Sequence, residues 1–89
     1  MKIAVDVCVG RQGVAALRAA GHEVLEAEHA ERDREWLARA RSFGAELLVS
    51  PDTDVEIYAY DAKIPFVQAR SGERGVSLAR RVLRLIGER

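Results

Sequence analysis

Four times along this 89-residue chain, a short apolar run suited to a β-strand gives way within a few residues to a stretch with helical spacing. A buried parallel strand reads as a continuous apolar run, and an amphipathic helix repeats its apolar residues every three or four positions. Ile3 to Val5 is the first such run and stops at Asp6. Val14, Leu17 and Arg18 then begin a helical pattern that ends at Gly21, where a left-handed cap is expected. His22 to Ala27 reads as the second strand, and Arg32 to Phe43, closed by Gly44, as the second helix. Leu47 to Ser50 is the third strand. Pro51 and Asp52 open the next helix, since proline suits a first turn and carboxylates suit a helix N-terminus. Ile64 to Val67 makes a short fourth strand. Glu73 to Ile86 is the clearest helix, with Val76, Ala79, Val82, Leu83 and Ile86 on one face and Arg74, Arg81, Arg84 and Glu88 opposite.

Strand–helix alternation with short links leaves one economical solution, a parallel sheet with helices on both faces. The fold class expected is therefore α/β, a small three-layer sheet of about four strands. The pattern shows no linker, repeat or low-complexity stretch and does not fix the order of the strands. The length is that of a single domain, spanning 1–89. Such a domain buries only about 60–65% of its unfolded surface, so a homodimer would add stability. With Trp36, Phe43, Tyr58, Tyr60 and Phe66 the only aromatic residues, the core must be built from Val, Leu, Ala and Ile.

The formal net charge is zero but unevenly spread. Residues 51–69 hold Asp52, Asp54, Glu56 and Asp61 against Lys63, whereas 70–89 hold six arginines against Glu73 and Glu88. An acidic centre beside a basic tail suits a site that holds a cation and leans on a polyanion. Cys8 is the only cysteine, which excludes an internal disulfide and fits a reducing compartment. MKIAVDVCVG makes a poor secretion signal, and no apolar run approaches the ~20 residues of a membrane span. A cytoplasmic protein with no membrane partner is expected.

In open parallel sheets, ligands sit outside the carboxyl ends of the strands. Asp6 ends the first strand, and Asp52 and Asp54 follow the third. If those strands are neighbours, the three carboxylates converge on one crevice. Asp33 and Glu35 begin the second helix and can point to the same edge. Carboxylates gathered in this way repel one another, and a hard divalent cation relieves them. An all-oxygen set favours Mg²⁺ or Mn²⁺, and no Cys–His cluster suggests zinc. The plain alternative for Asp33, Glu35, Asp52 and Asp54 is helix capping. Arg11 and Arg70 flank the same edge as candidate substrate-phosphate contacts. His29 sits in a polar loop on that side, while His22 starts a strand at the far end. Cys8 has no neighbouring His or Lys to lower its pKa and reads as a small packing residue. Arg80, Arg81 and Arg84 read as a solvated helix face, and no phosphate-binding glycine fingerprint is present.

The segments MKIAVD, LRAAGHEV, DREWLARA, LLVSPDTDVE and IPFVQAR together resemble the short PIN-like domains, a family of predicted nucleases often associated with toxin–antitoxin loci. The likeness spans essentially the whole chain, and its most specific element is the strand followed by Asp-x-Asp at Val49 to Asp54. The resemblance implies a metal-dependent ribonuclease, a hydrolase acting through metal-activated water. Asp6, Asp52 and Asp54 would hold Mg²⁺ or Mn²⁺, with Asp33 or Glu35 as the mid-chain catalytic acid. It also implies an RNA substrate and an antitoxin protein as partner. After Asp6 the chain carries Val7 and Cys8, where many of these domains have a Glu-Asn pair. That departure points to the alternative of a catalytically degenerate module that binds a protein or nucleic acid. A phospho-acceptor domain with Asp52 as acceptor fits less well, since it lacks an acidic pair after the first strand and a suitably placed lysine.

Overall fold

The computed structural model describes residues 1–87 and forms a three-layer α/β domain. Its strands are β1 (Lys2–Val5), β2 (Glu23–Glu26), β3 (Leu47–Ser50) and β4 (Phe66–Gln68). Its helices are α1 (Gly10–Ala19), α2 (Asp33–Phe43), α3 (Thr53–Ala62) and α4 (Gly75–Leu85), with a single 3₁₀ turn at Val7–Val9. All pairings are parallel and the strand order is β2-β1-β3-β4. The sheet is thus doubly wound, with the chain stepping outward in opposite directions from β1 and from β3. Ile3, Ala4 and Val5 lie in register with Leu47, Leu48 and Val49.

The apolar residues sort by strand alternation into two cores. Ile3, Val5, Leu47 and Val49 face α1 and α4, packing with Val14, Leu17, Leu78 and Val82. Ala4 and Leu48 face α2 and α3, packing with Trp36, Ala40, Val55 and Ala59. As the composition requires, Val, Leu, Ala and Ile fill both cores, with Trp36 the one large aromatic among them. Among the described residues, its buried indole N–H meets no acceptor. No helix among them is long and apolar enough to cross a membrane.

A repeat that the sequence pattern does not show emerges from the bonding. Half a turn about an axis along the strands, between β1 and β3, exchanges β1-α1-β2-α2 with β3-α3-β4-α4. It also carries the α1/α4 face onto the α2/α3 face. The loops from β2 to α2 and from β4 to α4 are closed by the same clasp. Arg39 grips Glu31 through Nε and Nη2, both at 2.6 Å, and Nη2 also donates to the Glu26 carbonyl at 2.8 Å. Arg81 grips Glu73 at 2.6 and 2.7 Å and donates to the Gln68 carbonyl at 2.6 Å. Each glutamate also accepts the N–H three residues before it, from Glu28 in one loop and Arg70 in the other. These bonds hold both carboxyls down at about 2, the guanidinium hydrogen bonds being the main cause and the backbone N–H the second. Few residues are identical between the halves, so no period is visible along the chain.

Several expectations change: α1 begins at Gly10 rather than Val14, and the fourth strand is Phe66–Gln68 rather than Ile64 to Val67. Arg81 is a loop clasp rather than a solvated helix-face residue, although Arg80 and Arg84 are exposed as expected. The last helix starts at Gly75, because Glu73 is held in the clasp before it. Pro51 stands outside α3, whose N-cap is Asp52. Glu88 lies outside the described residues.

Close packing of α1 on α4 rests on Gly13. A Cβ there would stand 2.7 Å from the Gly75 carbonyl oxygen and 2.9 Å from Val9 Cγ1. Backbone cannot yield cheaply, so Gly13→Ala should lower stability by about 1–3 kcal/mol in urea denaturation. An unchanged midpoint would mean that the helix pair is compliant. At the end of α3, Lys63 takes the left-handed conformation (φ 58°), where the other half of the molecule carries Gly21 (φ 97°). Relief of the Cβ clash should make Lys63→Gly more stable by about 0.5–1 kcal/mol, read in the same titration.

Candidate functional site

Because β1 and β3 are neighbours, Asp6 and Asp52 emerge side by side at the point where the winding reverses, which is where open α/β sheets form a crevice. Ser50 ties them together. It is the one polar residue fully buried among those described, and its hydroxyl donates to Asp6 Oδ2 at 2.8 Å while accepting the Asp52 N–H at 3.1 Å. The other Asp6 oxygen accepts the Val7 N–H at 2.8 Å and so starts the 3₁₀ turn. Asp52 caps α3 by accepting the Asp54 N–H on Oδ1 at 2.9 Å. The capping alternative is therefore realised for Asp52, but only one of its oxygens is occupied in this way.

Asp33, the first residue of α2, reaches the same place from across the sheet end. Hydrogen-bonding interaction with the Asp52 carboxyl is the main cause pushing the Asp33 pKa above the usual carboxylate range. Partial desolvation adds to it, followed by repulsion from Asp52, Asp6 and Asp54 in turn. Asp33 thus feels the other three aspartates, Asp52 most strongly. Glu35 turns back to accept the Arg32 N–H at 3.3 Å, closing the first turn of its own helix. Of the two mid-chain acids, Asp33 is therefore the one that meets Asp52. Among the described residues, no three His, Cys, Asp or Glu side chains are grouped closely enough to hold an ion among them.

The two arginines lie in separate cavities on this edge. Arg11 lines one of about 380 Å³ with Asp6, Glu26 and His29. Arg70 lines one of about 790 Å³ on the other side of Asp6, between the end of β4 and the 3₁₀ turn. Cys8 borders the larger cavity, and its thiol is pushed up to about 11 by burial first and by Asp6 second. It stays protonated and is no nucleophile, in keeping with its reading as a packing residue. His22 Nδ1 lies 2.9 Å from the Met1 nitrogen, at the opposite end of the sheet.

Sequence reasoning missed two residues here. Ser50 was visible only as the end of an apolar run, although Ser-x-Asp-x-Asp spacing at a strand terminus carries the signal. Arg74 falls on the polar face of the last helix by periodicity, yet it precedes that helix and lines the larger cavity. No family model, no curated protein and no solved structure matches the chain.

The raised Asp33 pKa has a testable sign. Its unfolded value is about 3.8, so the folded form holds its proton more tightly. The stability Asp33 contributes is complete below that value and is lost as pH rises through the folded pKa. Glu31 and Glu73, lowered from 4.5 to about 2, act oppositely, losing their contribution as pH falls from 4.5 towards 2. Asp33→Asn keeps a donor to Asp52 and removes the repulsion. Its stability advantage over the wild type should be absent near pH 3 and grow above pH 4, with urea titrations at stepped pH as the measurement. A constant difference across that range would contradict the assignment.

Proposed function

We propose that this protein is a Mg²⁺- or Mn²⁺-dependent phosphodiesterase that cleaves RNA in the cytoplasm, with Asp33 and Asp52 as its principal cation ligands. One observation supports this above the others. The Asp33 carboxyl, opening α2, and the Asp52 carboxyl, capping α3, interact at the winding reversal of a parallel sheet, where Ser50 ties Asp6 to Asp52 and Asp54 adds negative charge. Such a pair fits Mg²⁺, which keeps several waters and is held by one or two carboxylates together with substrate phosphate. When bound, the cation supplies charge neutralisation at a phosphodiester oxygen and an acidified water.

The remaining groups act through position and charge. Ser50 fixes the Asp6 carboxylate and the Asp52 backbone, so the acidic rim is set before any ligand arrives. Asp33 must lose its proton for the pair to take up a cation, so affinity rises with pH. Arg70, exposed on the neighbouring loop, offers a bidentate contact to a phosphate, whereas the charge of Arg11 is offset by Asp6 and Glu26 in its cavity. RNA is the substrate in this reading, and an antitoxin-type protein its inhibitor.

A second reading, a degenerate binding module, is favoured by one specific feature. Asp6 spends both oxygens and Asp52 one on hydrogen bonds within the fold, and among the described residues no third carboxylate closes around the pair.

Millimolar Mn²⁺ should raise the melting temperature of the wild type and not that of Asp52→Asn, because a ligand that binds only the folded state stabilises it. Mn²⁺-dependent RNA cleavage should fall on the order of 100-fold in Asp33→Asn and Asp52→Asn, the scale of removing one electrostatic interaction with a transition state. Equal cleavage by all three proteins would remove the nuclease reading. A melting temperature unmoved by Mn²⁺, with no cleavage by any of them, would leave the binding module.

A further inference from the structure

The two loops that share a clasp carry opposite charge. Superposed through Glu31/Glu73 and Arg39/Arg81, Glu26 falls on Gln68, Glu28 on Arg70, Asp33 on Gly75 and Glu35 on Ser77, while Ala27/Ala69 and Arg32/Arg74 are unchanged. Outside the clasp, the last residue of β2, the β2–α2 loop and the first turn of its helix set four carboxylates against Arg32 and Arg34. The matching β4–α4 segment has Arg70 and Arg74 and, apart from the clasp residue Glu73, no carboxylate. The residues that build the loop persist, whereas Glu28 gives way to the opposite charge of Arg70 and the other three carboxylates give way to neutral residues. One architecture therefore presents an acidic surface on one side of the winding reversal and a basic one on the other.

The basic loop encloses the cavity of about 790 Å³, with Cys8 and Pro51 as its opposite wall. Pro51 directly precedes Asp52, so this cavity abuts the acidic rim. Of the other polar side chains lining it, Glu73 and Gln68 are engaged within the fold and Ser71 adds a hydroxyl. Glu73 has both oxygens on Arg81, and Gln68 Nε2 donates to the Pro51 carbonyl at 3.2 Å. Neither the Arg70 nor the Arg74 guanidinium makes a hydrogen bond or ion pair with a described residue. Two uncommitted planar forks in a concave site, whose one lining carboxylate is already bound elsewhere, match the geometry of phosphate oxygens.

We infer that this cavity is a phosphate subsite in which Arg70 and Arg74 grip the backbone of a single-stranded nucleic acid running from the acidic rim across Pro51. The identity of the ligand rests on the proposed function; the cavity and its charge do not. The test is fluorescence anisotropy with a short fluorescein-labelled oligoribonucleotide in EDTA, where no metal-dependent cleavage occurs. The wild type should bind, and the Arg70→Gln/Arg74→Gln double variant should bind at least about tenfold more weakly. The slope of log affinity against log salt should become shallower by about 0.7 for each phosphate that is no longer gripped. Each single variant should fall between the two. Arg80→Gln, which removes one charge as each single variant does but from an exposed face of α4, should stay close to the wild type. Absence of wild-type binding, equal binding by the double variant, or an equal loss in Arg80→Gln would overturn the subsite. Failure of RNA cleavage with this binding intact would count against the nuclease reading alone.

Discussion

The site exists because β1 and β3 lie next to each other. Three registered pairs, from Ile3–Leu47 to Val5–Val49, bring chain positions 44 residues apart to the same height, so that Asp6 and Ser50 end their strands together. A buried hydroxyl without partners is costly, and Ser50 has both a donor and an acceptor contact, each directed at the segments that carry the aspartates. Sheet pairing therefore fixes the acidic rim to within a hydrogen bond rather than merely to one end of the molecule.

Around that pairing the molecule is two variations on one theme. Each half runs strand, helix, strand, helix, and each ends its outer strand in a glutamate–arginine clasp that turns the chain into the next helix. The clasp joins a loop carboxylate, a helix guanidinium and a strand-end carbonyl, so loop, helix and sheet are stitched at one point. With the loop framework held in this way, its outward residues are free to differ, and acidic and basic versions of one scaffold follow the two opposite edge strands of the sheet.

Much of the fold was legible in the sequence because burial imposes its own periodicity. Leu47 to Ser50 and the second helix from its first turn to Gly44 stand where the apolar pattern places them, and Gly21 ends α1 with positive φ. Boundaries set by individual side chains were less visible. Glu73 reads as helix from its neighbours' spacing, yet a bidentate arginine eight residues later holds it outside. The meeting of Asp6 with Asp52 depended on strand order, which local pattern does not encode. The choice of Asp33 over Glu35 depended on which carboxylate would turn back to cap α2. The repeat is hidden in the sequence because what the halves share is a set of hydrogen bonds, and only a few residues are needed to make them.

Trp36 follows Asp33 by three positions and so lies on the same side of α2, beneath the carboxylate and sealed from water. It is the sole indole in the chain. Its emission is therefore a native optical gauge, coloured by dry surroundings and placed within reach of the electric field at the crevice. Events at the acidic rim can be followed through it without attaching any dye to so small a protein.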